Sequence, residues 1–171
     1  SNFVREFQVW CTAVAAVRDG DPVASAIVAP ELGDVYVADD ETATRNGEPI
    51  SVSTRTDPEG CSVVPTMWWG RDRRDEYAAA CREVVERFGD LRRVGSAQVT
   101  LAMLAAGTID GVVTNVYANP WDTVAGVHLI RLAGGTVTDV HGDPWRHDSH
   151  GLVASNGEIH DELLAAVGEV E

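Results

Sequence analysis

"ANPWDTVAGVHLIRLAGG", residues 118–135, puts a Trp-Asp pair ahead of an apolar run and closes on two glycines. Val124, Val127, Ile130 and Leu132 recur at helical spacing, and Ala125 and Gly126 allow a close neighbour. Asp122 then stands at the head of a buried helix, where free N–H groups and the helix dipole stabilise a carboxylate. On spacing alone, Asp122 is a helix N-cap.

On both sides of this helix the sequence changes character. "FQVWCTAVAAV" (Phe7–Val17) reads as a strand ending at the turn "RDGDP". "VASAIVAP" and "DVYVADD" follow, separated by "ELG", and Asn46-Gly47 in "RNGEPISVS" is a tight-turn pair. Residues 1–54 are therefore predicted to form an antiparallel meander. The loop "TRTDPEG", residues 54–60, separates a first lobe, 1–60, from a second, 61–171. There "CSVVPTMWW" reads as a buried strand and "RDEYAAACREVVERFG" as a helix. "LRRV" is a short strand, and "GSAQVTLAMLAAG" is a helix opened by Ser96 and closed by Gly107. "IDGVVTNVYA", "GTVTDVHGDPW" and "GLVASNG" read as strands, and "EIHDELLAAVGEV" as a terminal helix. Alternation of this kind predicts an α/β fold with helices flanking a mixed sheet.

Charge narrows the function. Among 171 residues, 27 Asp and Glu face 13 basic residues, all Arg, for a net charge of −14. Such a surface repels nucleic acid and anionic membranes; acid excess with Arg-only basicity suggests a salt-adapted cytoplasm or, equally well on composition, an ordinary acidic cytosolic enzyme. Cys11, Cys61 and Cys81 are odd in number, lack CxxC spacing and read as buried free thiols in a reducing compartment. No apolar run approaches the roughly 18 residues of a membrane span, and no charged-then-apolar leader opens the chain, so a cytoplasmic location is expected.

Several segments together resemble the inositol monophosphatase family. "PWDTVAGVHLIRLAGG" is similar to its Trp-Asp signature, "SNFVREFQVWCTAVAAV" to the segment after its Asp-Pro-(Ile/Leu)-Asp-Gly-Thr motif, and "VGSAQVTLAMLAAGTIDG" to its Gly-(Ser/Thr)-Ala helix. "RNGEPISVS", "GGTVTDVHGDPW" and "ASNGEIHDELLAAV" match in the same order. The resemblance implies a layered α/β sandwich and a Mg²⁺-dependent phosphomonoesterase. It makes Asp122 a metal ligand, a role suited to a hard cation that takes oxygen donors. It also sets Gly95, Ser96 and Ala97 beside the substrate.

Thr114 or Asn115 stands where inositol-specific members carry a Glu. That departure leaves open an inositol phosphate, fructose 1,6-bisphosphate, histidinol phosphate or, least favoured for want of a basic patch, a nucleotide 3'-phosphate. The family's other ligands, an upstream Glu and the two aspartates of Asp-Pro-x-Asp-Gly-Thr, do not occur here. The expectation is a fragment of an enzyme, inactive alone and with one sheet face uncovered; the alternative is a non-catalytic binding or assembly module. A homodimer is implied, with Met67-Trp68-Trp69 either at its interface or in a core strand.

The remaining candidates have blander readings. Asp39-Asp40-Glu41 reads as a solvated turn, Asp110 as a turn residue, and His128 as a helix-surface or core-edge residue. His141, His147 and His150 could suggest a transition-metal site, but a polar loop with incidental His is the expected account.

Overall fold

The computed structural model describes residues 2–66, 71–72, 74–114, 118–149 and 151–168. Its first sheet is an antiparallel meander of β1 (Thr12–Arg18), β2 (Asp21–Ala29), β3 (Asp34–Ala38), β4 (Ala43–Arg45) and β5 (Glu48–Pro49), in that order. Local turn chemistry produces this order. Asn46 and Gly47 both adopt positive φ, 53° and 85°, as a two-residue hairpin between twisted strands requires. A register shift at Ala16/Val17 sets Val17 opposite Pro22, the β2 residue that has no N–H to donate.

The second half alternates strand and helix. β6 (Ser62–Pro65), α1 (Arg74–Arg87), β7 (Asp90–Leu91), α2 (Ala97–Ala105), β8 (Gly111–Thr114), α3 (Pro120–Leu132), β9 (Thr136–Thr138), β10 (Leu152–Ser155) and α4 (His160–Gly168) follow in order. The second sheet runs β7-β6-β8-β10-β9; β7, β6 and β8 are parallel, and β10 is antiparallel to both neighbours. The expected α/β fold, antiparallel first and mixed second, is what forms.

α2 and α3 lie between the two sheets, while α1 and α4 cover the far face of the second. The central layer explains why α3 is apolar almost all round: every residue from Thr123 to Ile130 is buried. A methyl group on Gly126 would stand 2.3 Å from Leu101 Cβ, so glycine sets the α2–α3 separation. α3 ends in a Schellman cap. Gly135 N–H donates to Ile130 C=O at 2.9 Å and Gly134 N–H to Arg131 C=O at 3.3 Å, with Gly134 at φ +87°.

One core cluster joins Ile27 and Tyr36 to Leu101, Leu104, Leu129, Ile130 and Leu152. A second packs Val63, Val84, Phe88 and Leu163 between the second sheet and its outer helices. The outward face of the first sheet is different. Val14, Val28, Val35 and Val37 alternate with buried Ser25, Ile27, Tyr36 and Ala38 and are 65, 38, 42 and 44% exposed.

Some sequence readings need correction. β1 begins at Thr12 rather than Phe7, because the chain first folds back on itself: Arg5 and Phe7 N–H both donate to Asn2 C=O, and the Phe3 and Trp10 rings meet edge-on at 4.9 Å. The "LRRV" strand shrinks to Asp90–Leu91, at the sheet's edge. His128 is buried, not at the helix surface, with Nδ1 3.2 Å from Ser25 Oγ. Asp110 does lie in a turn, but it is buried there and bonded to four residues. Asp39-Asp40-Glu41 is an exposed turn, with Asp39 Oδ1 accepting from Glu41 and Thr42 N–H. Met67-Trp68-Trp69, Asn115 and His150 lie outside the described residues. Among the described residues no helix is long and apolar enough to cross a membrane.

Candidate active site

Asp122 is not the cap of α3. Asn119 occupies that position and Pro120 the first helical turn, which places Asp122 third in the helix. Asp122 N–H donates to Asn119 C=O at 2.8 Å, and Asn119 Nδ2 reaches Asp122 Oδ2 at 3.4 Å. The carboxylate is half-buried and only weakly bonded, so its oxygens keep acceptor capacity.

Gly95, Ser96 and Ala97 open α2. Ser96 is the cap residue in backbone terms, with its C=O accepting from Thr100 N–H at 3.0 Å, but its hydroxyl caps nothing. Instead Ser96 Oγ lies 4.0 Å from Cys11 Sγ. Burial pushes the Cys11 thiol up, against opposing bonds from the Ser96 hydroxyl and the Val99 N–H, so this sulfur stays protonated at neutral pH. Gly95 adopts φ +79° and abuts the Asn2 side chain; a methyl group there would meet Asn2 Oδ1 at 3.1 Å. Asn2 Nδ2 in turn donates to Val9 C=O at 2.6 Å and Val94 C=O at 3.2 Å. The Asn-Phe pair and the Gly-Ser-Ala turn, more than ninety residues apart, are therefore one piece of local structure.

The two candidate pieces are linked by a residue that sequence reading passed over. Gln98 Nε2 donates to Trp121 C=O and Gln98 Oε1 accepts from Gly126 N–H, both at 2.9 Å. Its signal in the sequence was a long amide within the largely apolar run "AQVTLAMLA". Thr114 ends β8, buried, opposite Leu152 in the ladder. A groove of about 280 Å³ runs between β1 and α3, lined by Ala13, Ala15, Gln98, Pro120, Trp121 and Val124 but not by Asp122. The Trp121 side chain stands 72% exposed at its rim.

As a donor set for a metal, these residues fit a hard cation at one corner only. Asp122 offers a carboxylate oxygen of the right chemistry. Among the described residues, no group of three or more His, Cys, Asp or Glu could hold an ion, so an ion at Asp122 would need further ligands.

An antiparallel and a mixed sheet around a central helix pair, with a Trp-Asp helix head beside a Gly-Ser-Ala turn, define a layered α/β sandwich. The inositol monophosphatase family profile matches residues 1–171, and the chain belongs to that family. A fructose-1,6-bisphosphatase/inositol-1-monophosphatase of Thermotoga maritima is 32% identical over 170 residues, 99% of this chain and 64% of that protein. An inositol-1-monophosphatase of Mesorhizobium japonicum is also 32% identical, over 98% of this chain and 63% of its own length. Among solved structures, a Thermotoga maritima IMPase superposes with a TM-score of 0.91 at 32% identity, covering 99% of this chain and 65% of that one. An inositol monophosphatase from Anabaena does so at 0.91 and 31%, covering 99% and 68%. The chain thus spans slightly under two thirds of the curated relatives' length.

Proposed function

We propose that this chain carries the substrate-facing part of a metal-dependent phosphomonoesterase acting on a small polyol or sugar phosphate. The supporting observation is Asp122: a half-buried, weakly bonded carboxylate at the head of α3, linked through Gln98 to residues 95–97. In this reading Asp122 is one ligand of Mg²⁺, which supplies charge neutralisation at phosphoryl oxygens and an activated water. Gly95, Ser96 and Ala97 line the side taken by the alcohol, with the Ser96 hydroxyl as a hydrogen-bonding group. Thr114, a neutral residue at the end of β8, binds a polyol less tightly than a carboxylate would, or suits a different alcohol. Fructose 1,6-bisphosphate and histidinol phosphate are the alternatives within the family. Residues 1–60 and 61–171 act as two lobes, the protein is a cytoplasmic homodimer, and neither nucleic acid nor membrane is a partner.

The test is phosphate release from a panel of phosphomonoesters by the protein as its own cell produces it, with Mg²⁺ and with EDTA. Asp122→Asn is expected to lower turnover at least a hundredfold while the protein stays folded. Near-normal turnover in that variant refutes the ligand role. The 171-residue chain alone, with one such carboxylate, is expected to show background hydrolysis only. The lack of a three-ligand cluster among the described residues favours a second reading, a non-catalytic binding module. An inactive native protein with an intact fold would support it.

A further inference from the structure

We propose that Gln98 is a positioning residue that sets the Asp122 carboxylate relative to the Gly95-Ser96-Ala97 turn. The inference deepens the functional reading above and rests on it for what Asp122 does. In a regular helix the C=O of residue 121 faces the N–H of 125, and the N–H of 126 faces the C=O of 122. The amide of Gln98 engages the outer members of those two pairs, Trp121 C=O and Gly126 N–H, both at 2.9 Å. It therefore spans the turn of α3 that contains Asp122.

Gln98 is itself fixed. It is 6% exposed and lies in the first turn of α2, two residues beyond Ser96. Only an uncharged side chain with one donor and one acceptor at this length satisfies both ends. Methionine has the length without the bonds. Glutamate keeps an acceptor for Gly126 N–H but sets an oxygen against Trp121 C=O. A rotation or slide of α3 against α2 at Gly126, where α3 presents no side chain, would shift Asp122 relative to Ser96, and the two amide bonds oppose it. Groups that orient a metal ligand without touching the ion commonly change affinity by about 10- to 100-fold when removed.

The experiment compares Gln98→Met, Gln98→Glu and Asp122→Asn in the native protein by Mg²⁺ calorimetry, amide hydrogen exchange and steady-state kinetics. In Gln98→Met, exchange at Gly126 is expected to accelerate at least tenfold while amides in α4 are unchanged. The Mg²⁺ dissociation constant rises about tenfold, and KM for the phosphate ester moves less than twofold. Gln98→Glu is expected to fail in the same direction. Unchanged Gly126 exchange, or a lowered melting temperature with unchanged Mg²⁺ affinity, overturns the positioning role. Unchanged Mg²⁺ binding in Asp122→Asn overturns the ligand reading instead, and removes what Gln98 would position.

Discussion

The Asp110 carboxylate, only 2% exposed, lies 2.9 Å from the Arg55 guanidinium and ties the segment after β5 to the turn before β8. Asp110 also accepts from Ser53 Oγ and, at 2.8 Å, from Ser62 N–H, while its own C=O accepts from Asn156 N–H. Asn156 Nδ2 closes the loop by donating to Ser53 Oγ and Arg55 C=O. Asp110→Ala strands several donors at once, a loss of about 3 kcal/mol. Arg55→Ala should lose much less, because that side chain is half exposed and solvent screens it. Urea unfolding of the two variants measures the difference. Equal losses would mean that the ion pair, not the buried acceptor, dominates.

Gly126 fixes the α2–α3 spacing by lacking a Cβ. Gly126→Ala pushes a methyl group into Leu101 and is expected to cost about 2 kcal/mol. Leu101→Ala alone leaves a cavity at a fully buried site and costs about 3 kcal/mol. The double variant should lose clearly less than the sum, since each change relieves the other. Additive losses in thermal unfolding would show that the helices separate without strain.

Two buried histidines make stability depend on pH. Burial lowers the pKa of His160, whose ring bonds to Ser155 and Thr138. Burial, helped by the Arg131 charge, lowers that of His128, with Asp40 and Asp39 opposing. A lowered folded-state pKa means that the unfolded chain binds more protons. The folded state is therefore fully favoured above the unfolded value near about 6.5 and loses stability as pH falls below it. The melting temperature should drop between pH 7.5 and 5.5, and the slope should lessen in His160→Gln. A slope unchanged in that variant would remove His160 as a source and leave the effect to His128 or to carboxylates.

Charge predicts a response to salt. At −14, with no Lys, exposed carboxylates repel one another. The Debye length falls from about 30 Å at 0.01 M to about 3 Å at 1 M salt. The midpoint of thermal unfolding should rise from low salt to molar KCl. A flat or falling midpoint removes the salt-adapted reading.

Sequence alone determined the features encoded by local periodicity and turn chemistry. The meander follows from period-two alternation and from Asn46-Gly47; α1 to α4 follow from apolar spacing and their terminal residues. The family followed too, because its signature segments are short and contiguous, such as the Trp-Asp helix head and the Gly-Ser-Ala turn. Contacts between distant segments were decided only by tertiary structure. Asn2 against Gly95, Gln98 across Trp121 and Gly126, and Asp110 beneath Arg55 join residues 23 to 93 positions apart, and no periodicity records such pairs. Burial of His128 was hidden for a related reason. On a helix packed between two sheets every face is interior, so a polar residue next to the apolar stripe is enclosed and must find a partner, here Ser25 of β2.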